Sequence, residues 1–89
     1  AAAGNLKKVS LELGGKSPMI VFQDCDFEKT VSGALTSMRF TRQGQSCTAA
    51  SRIYVERPIF DRFVAAMKDA VNNMVMGDPL DEKTDIGTI

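Results

Sequence analysis

The chain has 89 residues, eleven basic and eleven acidic side chains, formal net charge zero and 44% hydrophobic content, which describes one small globular unit or a piece of a larger one and excludes disorder. Balanced charge provides no positive field to hold nucleic acid or anionic lipid, so neither partner is expected. No apolar run approaches the roughly 18 residues of a membrane span, and the opening AAAGNLKK has no secretory pattern, which places the chain in the cytoplasm by expectation.

Two cysteines, Cys25 and Cys47, in a neutral and loop-poor sequence read as free thiols rather than as a secreted disulfide scaffold. There is no histidine. A Cys-His or Ser-His catalytic pair and the histidine-containing zinc sets are therefore excluded within this chain, and no metal site is predicted. Any base acting here on a thiol or a water is a carboxylate, a lysine, or a group on another chain. At this length folding removes only about 60% of the unfolded surface from water, so an isolated core is marginal and a partner or a second copy is expected to help hold it.

In chain order, residues 1 to 8 start with alanines and meet Gly4 and Asn5, residue types that end helices in the left-handed conformation, so the start reads as a last helical turn. Val9, Leu11 and Leu13 alternate with Ser10 and Glu12, the period of a half-buried strand that stops at Gly14 and Gly15 and turns Glu12 to the face opposite the apolar trio. Pro18 to Phe22 predict a second strand. Asp24 or Asp26 then caps a helix whose buried face carries Phe27, Val31, Ala34, Leu35 and Met38, closed by Gly44. Arg52 to Glu56 read as a strand, and Pro58 opens a helix with the stripe Phe60, Phe63, Val64, Met67, Val71 and Met74. Strand, helix, strand, helix is the order of a parallel sheet with crossover helices, which places the chain in the α/β class as a partial sheet. The tail DEKTDIGTI has turn chemistry and stops on apolar Ile89, so both ends read as interrupted.

Four stretches invite a functional reading. GGKS after a strand suggests a phosphate-binding loop, but the first glycine of that pattern falls on Ser10 and Pro18 disfavours a helix beginning there. MIVFQDCDF is similar to the strand-end Asp-x-Asp of haloacid-dehalogenase-like phosphatases; Gln23 and Phe27 depart from that pattern, and helix capping explains both aspartates. Cys25 lies between those aspartates, whose charge disfavours a thiolate, so it reads as structural, as does Lys16. RQGQSCTAAS differs in kind. It sets Cys47 among Gly44, Ser46, Thr48, Ala49 and Ala50, small residues that admit a substrate close to the backbone, with the Cys47 amide available to an oxyanion. A reactive thiol and an unremarkable loop cysteine both remain open on these features.

LELGGKSP and GQSC, with Glu12 and Cys47 separated by 47 − 12 = 35 positions, resemble the two active-site signatures of the NAD(P)-dependent aldehyde dehydrogenase superfamily. RIYVERPIFDRFV and GDPLDEKTDIG are similar to the strand, helix and turn that follow the cysteine in that family, so the resemblance covers almost the whole chain. It implies that Cys47 attacks an aldehyde to give a thiohemiacetal and then a thioester, and that Glu12 activates the hydrolytic water. It implies that Glu12, Leu13 and Gly14 pass beside the nicotinamide of NAD or NADP, and that the Cys47 amide forms half of an oxyanion hole whose other half is an asparagine side chain upstream of residue 1.

The resemblance also implies a division, with 1–13 ending a nucleotide-binding domain and 14–89 beginning the cysteine-bearing catalytic domain. The chain is then expected to be an internal fragment, inactive or nearly so alone, of an enzyme that takes a small aldehyde and forms a homo-oligomer. The alternative is a small non-catalytic α/β domain whose exposed apolar faces serve self-association or a partner.

Overall fold

The computed structural model describes residues 2–89. Two strands, β1 (Ser17–Val21) and β2 (Ala50–Val55), pair in parallel. Helix α1 (Phe27–Ser37) connects them, and helix α2 (Phe60–Asn72) follows β2 through a short 3-10 turn at Arg57–Ile59. The order and the parallel pairing agree with the α/β expectation. Pro58 starts the 3-10 turn rather than the α-helix itself, which suits a residue with fixed φ and no amide to donate.

Residue chemistry explains the ladder. Met19, Ile20 and Val21 stand opposite Ile53, Tyr54 and Val55, and all but Met19 are β-branched or aromatic residues that fit a pleated surface. Pro18 removes one ladder donor, and the register shifts between Ser17 and Pro18, which face Ala50 and Arg52. Ser51 is thereby the extra residue of a bulge, the arrangement in which a proline is tolerated inside a sheet.

The inward residues of the sheet, Met19, Val21, Ile53 and Val55, meet Val31 and Ala34 of α1 and Phe63 of α2 in one core, where Val21 is 2% and Phe63 3% exposed. Phe27 and Phe63 meet edge to face with centroids 6.5 Å apart, and the Arg62 guanidinium lies over the Phe27 ring, 3.7 Å from its centroid. Asp26 caps α1, its Oδ1 accepting from the Lys29 amide at 3.3 Å. Beyond α2, the Val75 amide donates to Asp85 Oδ2 at 2.8 Å and a single parallel bridge joins Met76 to Ile86.

Both helices pack on one face of the sheet. On the other face Ile20 and Tyr54 remain 62% and 54% exposed, although parallel sheets ordinarily bury both faces. The molecule is a plate of 56 × 35 × 16 Å with a radius of gyration of 17.6 Å, against about 12 Å for a compact domain of this length.

Three expectations are corrected. Residues 7–16 form no strand, and Leu11 is 70% exposed, with Val9 and Leu13 likewise outside. Period-two alternation marks a chain with one apolar side, but a strand also needs a neighbour for its amides and carbonyls, and none pairs with this segment among the described residues. At the N-terminus a 3-10 turn spans Ala2–Asn5 and the left-handed residue is Leu6 (φ 51°), one position beyond Asn5. In α2, Phe63 is buried and Met67 and Met74 are half-buried, whereas Phe60, Val64 and Val71 are exposed, because α1 and two strands cover less surface than the apolar stripe offers.

Candidate functional site

Helix α1 ends at Ser37 with Met38 as its C-cap, well before Gly44, and the chain to Cys47 is wound tightly. Arg39 (φ 57°), Gln43 (φ 52°) and Gly44 (φ 72°) are left-handed, a conformation that costs an ordinary L residue roughly 1–2 kcal/mol. Backbone bonds hold the winding: the Gly44 amide donates to the Arg39 carbonyl at 2.9 Å, Gln45 to Arg42 at 2.8 Å, Ser46 to Gly44 at 2.9 Å and Ala49 to Ser46 at 3.1 Å. Two non-glycine residues kept left-handed within one loop mark a segment whose shape is maintained by its surroundings. The Gln43 side chain adds a tie, its Nε2 donating to the Thr88 carbonyl at 3.1 Å.

This winding leaves Cys47 exposed and unbridged at the turn. The Cys47 amide donates to no protein acceptor among the described residues, so it is available to an incoming oxygen. Beside it the hydroxyls of Ser46 and Thr48 lie 3.1 Å apart.

The irregular segment from Glu12 to Lys16 supplies the facing wall. Glu12, Leu13, Gly14, Gly15 and Lys16 line an open groove of about 530 Å³ together with Gly44, Gln45, Ser46, Cys47 and Ser51, a volume within the range of small-molecule sites. Gly15 is where the two walls touch: a Cβ built on it would stand 2.5 Å from the Cys47 carbonyl oxygen. Ser51 enters because it is the bulged residue of β2, and bulges next to sites re-aim side chains in this way.

Of the residues singled out from sequence, Glu12, Leu13, Gly14, Gly44, Ser46 and Cys47 come together in the groove. Ala49 is buried. Cys25 is half-buried against the core and lies outside the groove. Lys16, set aside on sequence, contributes a cation to the wall, and Gln45 and Ser51 were not anticipated. Pro18 was the available signal for Ser51, since a proline within a strand calls for a bulge.

Comparison with known proteins gives one family. The model of the aldehyde dehydrogenase family matches residues 1–89. The cytosolic 10-formyltetrahydrofolate dehydrogenase of Xenopus tropicalis is 52% identical over 86 residues, 97% of this chain and 9% of that protein. Betaine aldehyde dehydrogenase of Sinorhizobium fredii is 47% identical over 87 residues, 98% of this chain and 18% of that one. Among solved structures, betaine aldehyde dehydrogenase of Staphylococcus aureus in complex with NAD+ superimposes with a TM-score of 0.88 at 43% identity, over 99% of this chain and 17% of that one. An NADP-dependent enzyme of E. coli gives 0.83 at 46% identity, over 94% and 17%. This chain belongs to the aldehyde dehydrogenase family. It spans about a tenth of the 10-formyltetrahydrofolate dehydrogenases it matches.

Gly14 faces open space, with no atom within 4 Å of a Cβ built on it, so a flat ring can approach its backbone. No helix among the described residues is long and apolar enough to cross a membrane.

Proposed function

We propose that this chain carries the nucleophile and the general base of an enzyme that oxidises an aldehyde to a carboxylic acid with NAD or NADP. The observation that supports this most is that Glu12 and Cys47, 35 positions apart in sequence, line one groove. In this reading Sγ of Cys47, as thiolate, attacks the aldehyde carbon, and the oxyanion so formed takes a hydrogen bond from the unused Cys47 amide. Nicotinamide, when bound beside Glu12, Leu13 and Gly14, supplies the hydride acceptor. The thioester left on Cys47 is attacked by a water whose proton Glu12 accepts; the carbon–sulfur bond breaks, the acid departs and the thiolate is restored.

Residues 1–13 belong, in this proposal, to the end of a nucleotide-binding domain and 14–89 to the start of a catalytic domain, so this chain supplies part of an arrangement completed by further chain. Relatives of similar identity are named cytosolic and mitochondrial alike; the cytoplasm is the compartment we favour, in keeping with two free thiols. Aldehyde-dependent reduction of NAD or NADP by the protein that contains this segment tests the reading. Cys47→Ala is expected to abolish it, and unchanged turnover would overturn the assignment. Turnover by the 89-residue chain alone would contradict its incompleteness.

A second reading has its own observation. Ile20 and Tyr54 lie exposed on the sheet side away from the helices, and Phe22 is exposed just beyond β1, apolar surface of the kind that associates. We propose homo-oligomerisation as its outlet, which sedimentation reads directly; a strictly monomeric folded chain would contradict it.

A further inference from the structure

We propose that Gly15 is a positioning residue, whose missing side chain lets the segment bearing Glu12 seat against the peptide of Cys47. The inference rests on reading Glu12 as the base that acts at Cys47. A Cβ on Gly15 would lie 2.5 Å from the Cys47 carbonyl oxygen and 3.6 Å from its carbon, and the obstructing atoms are backbone, so no flexible side-chain end can swing aside. The neighbouring Gly14 meets nothing within 4 Å. Gly15 is not among the residues with positive φ, whereas Gly44 is. Space, not backbone conformation, is therefore what glycine provides at position 15.

The contact carries weight because little else fixes this wall. Among the described residues, positions 8–16 make no hydrogen bond to the rest of the chain, and regular structure resumes only at Ser17. Glu12 is three residues from Gly15, so its Cα stays within about 11 Å of that contact whatever the segment does. A side chain at 15 must push the segment or the Cys47 peptide away, and either movement separates the carboxylate from the thioester carbon on Cys47.

The test uses the protein that contains this segment, with Cys25 and Cys47 acetylated by p-nitrophenyl acetate and p-nitrophenol released. Hydrolysis of each thioester is followed by mass spectrometry, with Cys25, outside the groove, as the internal reference. In each event water attacks the acetyl carbon, the carbon–sulfur bond breaks, and acetate and the thiol are released. Glu12→Gln is expected to slow loss of acetyl from Cys47 by about 100-fold, the lower end for a positioned base, without changing Cys25. Gly15→Ala is expected to slow it comparably, and Glu12→Gln added to Gly15→Ala is expected to have no further effect. Gly4→Ala, a control in open space, leaves both rates alone.

If Glu12→Gln still slows hydrolysis about 100-fold in the Gly15→Ala background, the base reaches its target without Gly15 and the inference is overturned while the reading of Glu12 stands. If Glu12→Gln is silent in the unmodified chain, both fall together. Loss of the helical circular dichroism in Gly15→Ala would assign Gly15 to the fold and overturn the positioning role.

Discussion

The backbone amide of Gln23 donates to Oε2 of Glu56 at 2.6 Å, across 33 residues of sequence. The bond lies just beyond the ladder, where the Glu56 amide in turn donates to the Val21 carbonyl at 3.0 Å, so one residue clamps the carboxyl ends of β1 and β2 twice. A hydrogen bond to a charged acceptor contributes about 1.5–3 kcal/mol, and exposure to water places this one near the lower bound. Glu56→Ala is expected to destabilise the chain by about 1.5 kcal/mol in urea unfolding, while Glu56→Gln, which keeps an acceptor, loses less. Equal losses in the two variants would remove the side-chain oxygen from the explanation.

At the start of α1, the Asp26 carboxylate caps the Lys29 amide and also pairs with Lys29 Nζ at 3.2 Å, both side chains largely exposed. The cap should dominate, because exposed ion pairs contribute little. Asp26→Ala is expected to cost about 1 kcal/mol and Asp26→Ser much less, with Lys29→Ala close to neutral. A Lys29→Ala loss as large as that of Asp26→Ala would reverse this ordering.

Phe63 is the large side chain that joins α2 to both α1 and the sheet. Truncation of a buried phenylalanine costs about 3–5 kcal/mol, a large share of what so thin a core can supply. Phe63→Ala is expected to abolish cooperative unfolding, whereas Val64→Ala, one position away and exposed, leaves the transition in place. A cooperative transition in Phe63→Ala would mean that the core lies elsewhere.

Gly44 presents the opposite case to Gly15. The nearest atom to a Cβ built on it is the Met38 carbonyl oxygen at 3.8 Å, ordinary contact, but its φ is +72°. Gly44→Ala is expected to cost about 1 kcal/mol through backbone strain alone, seen as a lowered unfolding midpoint. A Gly44→Ala chain as stable as the parent would show that the turn before Cys47 relaxes freely.

Much of the fold was legible because local chemistry and packing agree from Pro18 to Met74. Asp26 caps where expected, Val31 and Ala34 face the core, and β1 and β2 pair in parallel. The segment carrying Val9, Leu11 and Leu13 misled because alternation reports which side is apolar, not whether a neighbouring strand exists. Phe60, Val64 and Val71 misled similarly: a helical stripe shows what can be buried, while the area of its partners decides what is. In the site, Glu12 and Cys47 stood out through motif resemblance. That Gly15 rather than Gly14 is the crowded glycine was not legible, since it depends on which peptide of a distant loop arrives beside it. Ser51 was hidden by a shift of register.

The central claim is that Glu12 serves the water step at Cys47, after the hydride has left. Single-turnover kinetics of Glu12→Gln, in the protein that contains this segment, test it most directly. The expected result is a burst of about one nicotinamide reduced per subunit followed by a stall, with a thioester persisting on Cys47. Steady turnover at the rate of the unmodified protein, with no thioester accumulating on Cys47, would contradict it.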